Sequence, residues 1–94
     1  MRKAGLIAAI SDKTGIEKVD VLVTLETMFK QIKQSVIAGE STTIRGFGTF
    51  IAKKRKATTG RNIRDNTAIQ IPEHFVPAFK PGKEFLKEVR SNLS

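Results

Sequence analysis

Up to Gly39 the apolar positions recur with helical spacing. Leu6, Ile7 and Ile10 fall at i, i+1 and i+4, padded by Ala8 and Ala9. This predicts a short helix over Lys3 to Lys13, with Gly15 as its stop. Val21, Leu22, Leu25, Met28, Phe29, Ile32 and Val36 then alternate spacings of three and four. They predict a second helix from about Lys18 to Ala38, with Gly39 as its C-terminal cap. That helix is long for so small a chain and its apolar stripe is unbroken. One short helix cannot cover it, which points to a second subunit.

From Ser41 onward the period changes. Thr42, Thr43 and Ile44, then Phe47, Thr49, Phe50 and Ile51, are β-branched or aromatic. Gly46 and Gly48 punctuate them, predicting two strands joined by a tight turn. Strand character continues to Thr59, a turn-like cluster follows (Gly60, Asn62, Asp65, Asn66), and Thr67 to Ile71 is a second extended run closed by Pro72. The segment from about Ala52 to Phe75 therefore reads as one long hairpin. It has too few large apolar residues to build a core, so it is expected to project into solvent and to be mobile when unbound. Val76 to Lys80 predicts another short strand. Pro81-Gly82 opens a final helix to about Asn92, with Phe85, Leu86 and Val89 on its apolar face and Leu93 beyond. The predicted order is α-α-β-β-β-α, an α+β class without internal repeat or low-complexity stretch.

Charge changes this picture most. The chain has 94 residues, 17 Lys and Arg, 9 Asp and Glu, and a net charge of +8. Almost all of the excess lies in one stretch. Between Arg45 and Arg64 stand Arg45, Lys53, Lys54, Arg55, Lys56, Arg61 and Arg64, with no acid among them. A cluster of a few cations is ordinarily a solvated face. Seven without an intervening acid, on extended chain, favour a polyanionic partner, and dense phosphate charge makes nucleic acid the first choice.

Composition narrows the alternatives. With 39% hydrophobic residues and one small domain (1–94), the chain buries only about two thirds of its unfolded surface. It holds no Cys, so no disulfide or sulfur-ligated metal can staple it. Buried area has to come from a partner chain. His74 is the single imidazole and reads as a surface or packing residue rather than a base. Glu84 and Glu88, one turn apart, most simply pair with Lys83 or Lys87. No catalytic residues, metal site or cofactor are therefore expected. The apolar run Leu6 to Ile10 is too short for a signal peptide or membrane span, so no membrane partner and a cytoplasmic location are expected.

Three motifs carry a resemblance: Gly46-Phe47-Gly48-Thr49-Phe50, Gly60-Arg61-Asn62, and Val76-Pro77-Ala78-Phe79-Lys80-Pro81-Gly82-Lys83. Together they resemble the bacterial histone-like HU and integration host factor (IHF) family over essentially the whole chain. The resemblance implies an HU/IHF-like intertwined dimer with two projecting β-arms that bind the minor groove and bend or compact duplex DNA in the nucleoid. Residues 1–40 would form the helical dimerisation part, about 52–75 the arm, and 81–93 the C-terminal helix. Phe29, Phe47, Phe50 and Phe79 would be dimer-core aromatics. Lys53, Arg55, Arg61 and Asn62 match DNA-contacting arm positions, and Lys3 and Lys83 match positions that clamp flanking phosphates. Arg45 and Arg64 complete the basic set. For Lys54, Lys56 and Arg64 a general electrostatic role is as good a reading as a specific contact.

The tip departs from the family. Where the family carries a Pro wedge after the Arg-Asn pair, this chain has Ile63. Ile63 is either an ordinary strand residue with the wedge lost or a substituted wedge. Its isolation at the tip of a polar arm favours the wedge. Asn66 replaces the family's Gly and tolerates a left-handed turn. Three choices stay open: a sequence-tolerant binder or a site-selective IHF-like bender, a homodimer or a heterodimer with a paralogue, and DNA or RNA. The lack of Tyr and Trp, with Phe residues that read as structural, weighs against an RNA-stacking surface.

Overall fold

The computed structural model describes residues 1–62 and 67–93. It divides into two compact units, Met1–Gln34 and Ser35–Ser94.

The first unit holds α1 (Lys3–Thr14) and most of α2 (Lys18–Ile37). Gly15 ends α1 in a left-handed conformation (φ 78°), its N–H donating to the Ser11 carbonyl at 2.9 Å. The Glu17 carbonyl accepts from Asp20 and Val21 and opens α2, where Asp20 also favours the positive end of the helix dipole. Both helices end within a residue of their sequence-based limits. Their burial is another matter. Val21, at 4% exposure, is the sole buried hydrophobic side chain among the described residues of the whole chain. Val19, Val23, Met28 and Phe29 stay exposed.

The second unit begins with the end of α2. Gly39 (φ 82°) donates to Val36 and Glu40 donates to Ser35, a pair of bonds that satisfies the last carbonyls of the helix. Among the described residues five strands follow: β1 (Thr42–Ile44), β2 (Gly48–Arg55), β3 (Thr58–Asn62), β4 (Thr67–Ile71) and β5 (His74–Pro81); α3 (Lys83–Leu93) comes last. β1, β2 and β5 form one antiparallel sheet in that order, and β3 and β4 pair antiparallel with each other.

Two strands more than expected appear because each limb of the hairpin is interrupted once. β2 stops at Arg55 opposite His74, and β3 resumes at Thr58 opposite Ile71. Two residues are skipped on each limb, so the register passes through unchanged and no bulge is inserted. Pro72 lies in the gap and has no N–H to give to a ladder, which accounts for a local break in bonding. The strand expected at Val76–Lys80 extends over His74–Pro81 and pairs with β2 along its full length.

Aromatic rings hold the sheet to α3. Phe47 lies 5.1 Å from Phe79 and 5.4 Å from Phe85 between centroids, nearly parallel to the latter, and Phe50 lies 4.9 Å from Phe79. Such pairs add roughly 0.5–1.5 kcal/mol each beyond their buried area. The sheet and its turn thus bring together three of the four expected core aromatics, and Phe85 joins them. Phe29 stands on α2 in the first unit, 38% exposed.

Candidate nucleic-acid interface

Turn chemistry sets the start of the basic segment. The Phe47 N–H donates to the Ile44 carbonyl at 3.0 Å, closing a four-residue turn with Arg45 and Gly46 in its centre. Gly46 takes φ 81°, which the third position of a type II turn requires. Arg45 is exposed at this corner. Gly48 is needed for a different reason. A Cβ there would come within 2.4 Å of the Lys80 carbonyl oxygen and 2.5 Å of the Phe79 ring. The bare backbone lets β2 and β5 close over the aromatic cluster. The Gly82 N–H then donates to the Phe47 carbonyl at 2.8 Å, which puts Lys83, in the first turn of α3, beside the β1–β2 turn.

Strand register sorts the cations by face. Directly paired residues of an antiparallel sheet share a face, and neighbours along a strand alternate. Lys53 pairs with Val76, Arg55 with His74 and Thr49 with Lys80, so Lys53, Arg55, His74 and Lys80 stand on one side. Lys54 pairs with Phe75 and points to the other side, where it forms an ion pair with Glu73. Charge order along the chain singles out no role for Lys54. Its acidic neighbour distinguishes it from Lys53 and Arg55, neither of which is ion-paired among the described residues. Phe75 is 66% exposed on the Lys54 side, so one Phe that reads as structural is in fact a surface residue.

Farther out, the backbone of Arg61 pairs with Ala68 and that of Asn62 with Thr67. Gly60 lies near Ile71, whose Cδ1 would be 3.3 Å from an added Cβ, and Thr59 accepts from Gln70. Ile63 and Arg64, and the turn expected around Asn66, lie outside the described residues. In the first unit Lys3 donates to Glu26 at 2.9 Å, with both side chains about half exposed. A phosphate at Lys3 would have to compete with that carboxylate.

His74 and Lys80 come onto the face of Lys53 and Arg55 only in the folded chain. The sole sequence signal for them is parity: they fall in step with Lys53 and Arg55 once the register is known. Among the described residues no group of three or more His, Cys, Asp or Glu could hold a metal, and no helix is long and apolar enough to cross a membrane.

An α+β fold that carries a basic two-stranded ladder, with Lys53, Arg55 and Lys80 on one face and Lys54 on the other, is of the class that can meet an extended polyanion across a surface. Comparison with known proteins supplies the family. The model of the bacterial DNA-binding protein family matches residues 1–90, so the chain belongs to that family. It is 38% identical over 94 residues to integration host factor subunit beta of Marinobacter nauticus, covering 99% of this chain and 96% of the relative. It is 38% identical over 89 residues to the DNA-binding protein HU of Clostridium pasteurianum, covering 95% and 98%. An Anabaena HU–DNA cocrystal structure matches with a TM-score of 0.90 and 36% identity, over 95% of this chain and 97% of that one. The family is one of histone-like DNA-binding proteins and not of enzymes.

Proposed function

We propose that the chain is a histone-like architectural DNA-binding protein that acts as a dimer, grips duplex DNA in the minor groove with its β-arms and bends it with little sequence preference. The observation that carries this reading is the face bearing Lys53, Arg55 and Lys80, on the same ribbon that leads to Arg61 and Asn62. Long cations on a two-stranded ribbon can span to phosphates on both sides of a groove, and such contacts position without reading bases. Arg45 at the β1–β2 turn and Lys83 at the start of α3 extend the basic surface over the body of the second unit. Lys3, once released from Glu26, adds a flanking contact. Arg64 adds charge near the tip, and Ile63 serves there as the wedge that unstacks a base step.

The dimer is supported by burial. A chain with Val21 as its sole buried hydrophobic among the described residues has not covered its core. The exposed apolar face of α2, with Phe29 and Met28, and the Phe47, Phe50 and Phe79 cluster are the surfaces that a second copy covers. Residues 1–40 supply the dimerisation part of a single functional domain, and 52–75 the arm. The working location is the bacterial cytoplasm, on the nucleoid.

Two measurements test the reading. Cyclisation of short duplex DNA reports bending, and Ile63→Asp lowers it far more than it lowers binding; equal cyclisation by variant and parent removes the wedge. Affinity for nicked duplex against single-stranded RNA of equal length decides the substrate. Preference for RNA would overturn the DNA assignment.

A further inference from the structure

One face of the β2–β5 ribbon carries a column of side chains that is covered only at its inner end. Phe50 pairs with Phe79, Ala52 with Pro77 and Lys54 with Phe75, so all six stand on the same side. At the inner end Phe79 meets the rings of Phe47, Phe50 and Phe85, the last of them on α3. Two pairs farther out that cover is lost, and exposure rises from 37% at Phe79 to 66% at Phe75. A bare phenylalanine ring is costly to leave in water, and a protein surface laid over it recovers that cost.

Charge indicates which surface this is. Lys53 and Arg55 stand on the opposite face, neither ion-paired among the described residues, so a polyanion is drawn to that side. Beside Phe75, by contrast, Lys54 is balanced by Glu73. Two copies of a chain with net charge +8 repel each other. They can approach closely only where charge is locally balanced and apolar surface is bare. The Phe75 end of the column meets both conditions.

We infer that Phe75 is an anchor between protomers, seating the root of the arm on a second copy of this chain and carrying the dimer contact outward beyond the aromatic cluster. This rests on the dimer proposed above and adds to it a contact residue and a consequence for the arm. In a two-fold dimer the contact is made twice, and the Lys54–Glu73 pair lies at its solvated rim. Phe75 occupies the face opposite Lys53 and Arg55. Holding that face against protein therefore leaves the cations turned outward to duplex. The partner protomer, and not only the chain that carries the arm, sets the direction in which the arm points.

The test compares the full chain with Phe75→Ser and Phe75→Leu. Dimer dissociation is followed by dilution in the absence of DNA, and sedimentation fixes the masses. Phe75→Ser is expected to weaken the dimer at least roughly tenfold, while Phe75→Leu, which keeps an apolar side chain, recovers most of that loss. In a second measurement p-benzoylphenylalanine replaces Phe75 or, on the opposite face, Lys53. Illumination is expected to join two chains from position 75 and not from position 53. An unchanged dissociation constant in Phe75→Ser overturns the inference, as does a loss confined to assemblies larger than two chains. No cross-link from position 75, or equal cross-linking from both positions, overturns it as well. A parent that sediments as a single chain at every concentration overturns the proposed dimer itself, and this contact with it.

Discussion

Gly48 shows how one residue can be obligatory for reasons of space. Its missing Cβ sits where the Lys80 carbonyl and the Phe79 ring close in, and a backbone oxygen cannot swing aside as a flexible side chain would. Gly48→Ala is expected to cost at least about 2 kcal/mol, read as a lowered urea midpoint with an unchanged slope. The ion pair between Lys54 and Glu73 belongs at the other extreme. Both side chains are more than half exposed, so solvent screening leaves the pair worth less than about 1 kcal/mol. Glu73→Gln should therefore leave thermal stability nearly unchanged while modestly raising duplex affinity, because it removes a negative charge from the arm and leaves Lys54 without its acidic partner. A large loss of stability on that substitution would show the pair to be structural.

At the scale of the element, the hairpin is a ribbon whose two faces carry different side chains. Alternation places Lys53 and Arg55 together and sends Lys54 to the opposite face. The expected result is unequal effects from chemically similar changes. Lys53→Ala and Arg55→Ala should each reduce the slope of log affinity against log salt by about 0.9 for every phosphate left unneutralised. Lys54→Ala should lower affinity less and leave more of the slope in place. Equal slopes for all three variants would mean that the arm acts as undifferentiated charge. The break at Pro72 leaves this arrangement intact because the register is the same on both sides of it.

For the whole molecule, the decisive quantity is apolar surface left in water. Val19, Val23 and Ile37 on α2, and Leu86, Val89 and Leu93 on α3, are all exposed in the single chain. A domain of this size has little stability to spare, and the proposed second copy would cover such faces. Thermal unfolding should therefore depend on protein concentration, with a midpoint that rises as the protein is concentrated. Sedimentation at micromolar protein should give twice the mass of one chain. A folded monomer with a concentration-independent midpoint would refute the dimer.

Much of this molecule was legible in residue order, for identifiable reasons. Helix limits follow from the period of Leu and Val positions and from the glycines at 15 and 39, signals that act within a turn or two of chain. The confinement of the excess charge to Arg45–Arg64 is likewise a property of the order of residues, and it pointed to a polyanion before any fold was known. Pairing across strands was another matter. Which cations share a face, that Lys54 meets Glu73, that Phe85 joins Phe47, and that His74 stands opposite Arg55 with its Nδ1 on Pro72 all depend on register and on the packing of distant segments. A register shift of a single residue would move every side chain of a strand to the other face. The sequence alone thus determined the elements and the kind of partner. The tertiary structure decided which side chains act together, because juxtaposition in a sheet is set by the partner strand and not by neighbours along the chain.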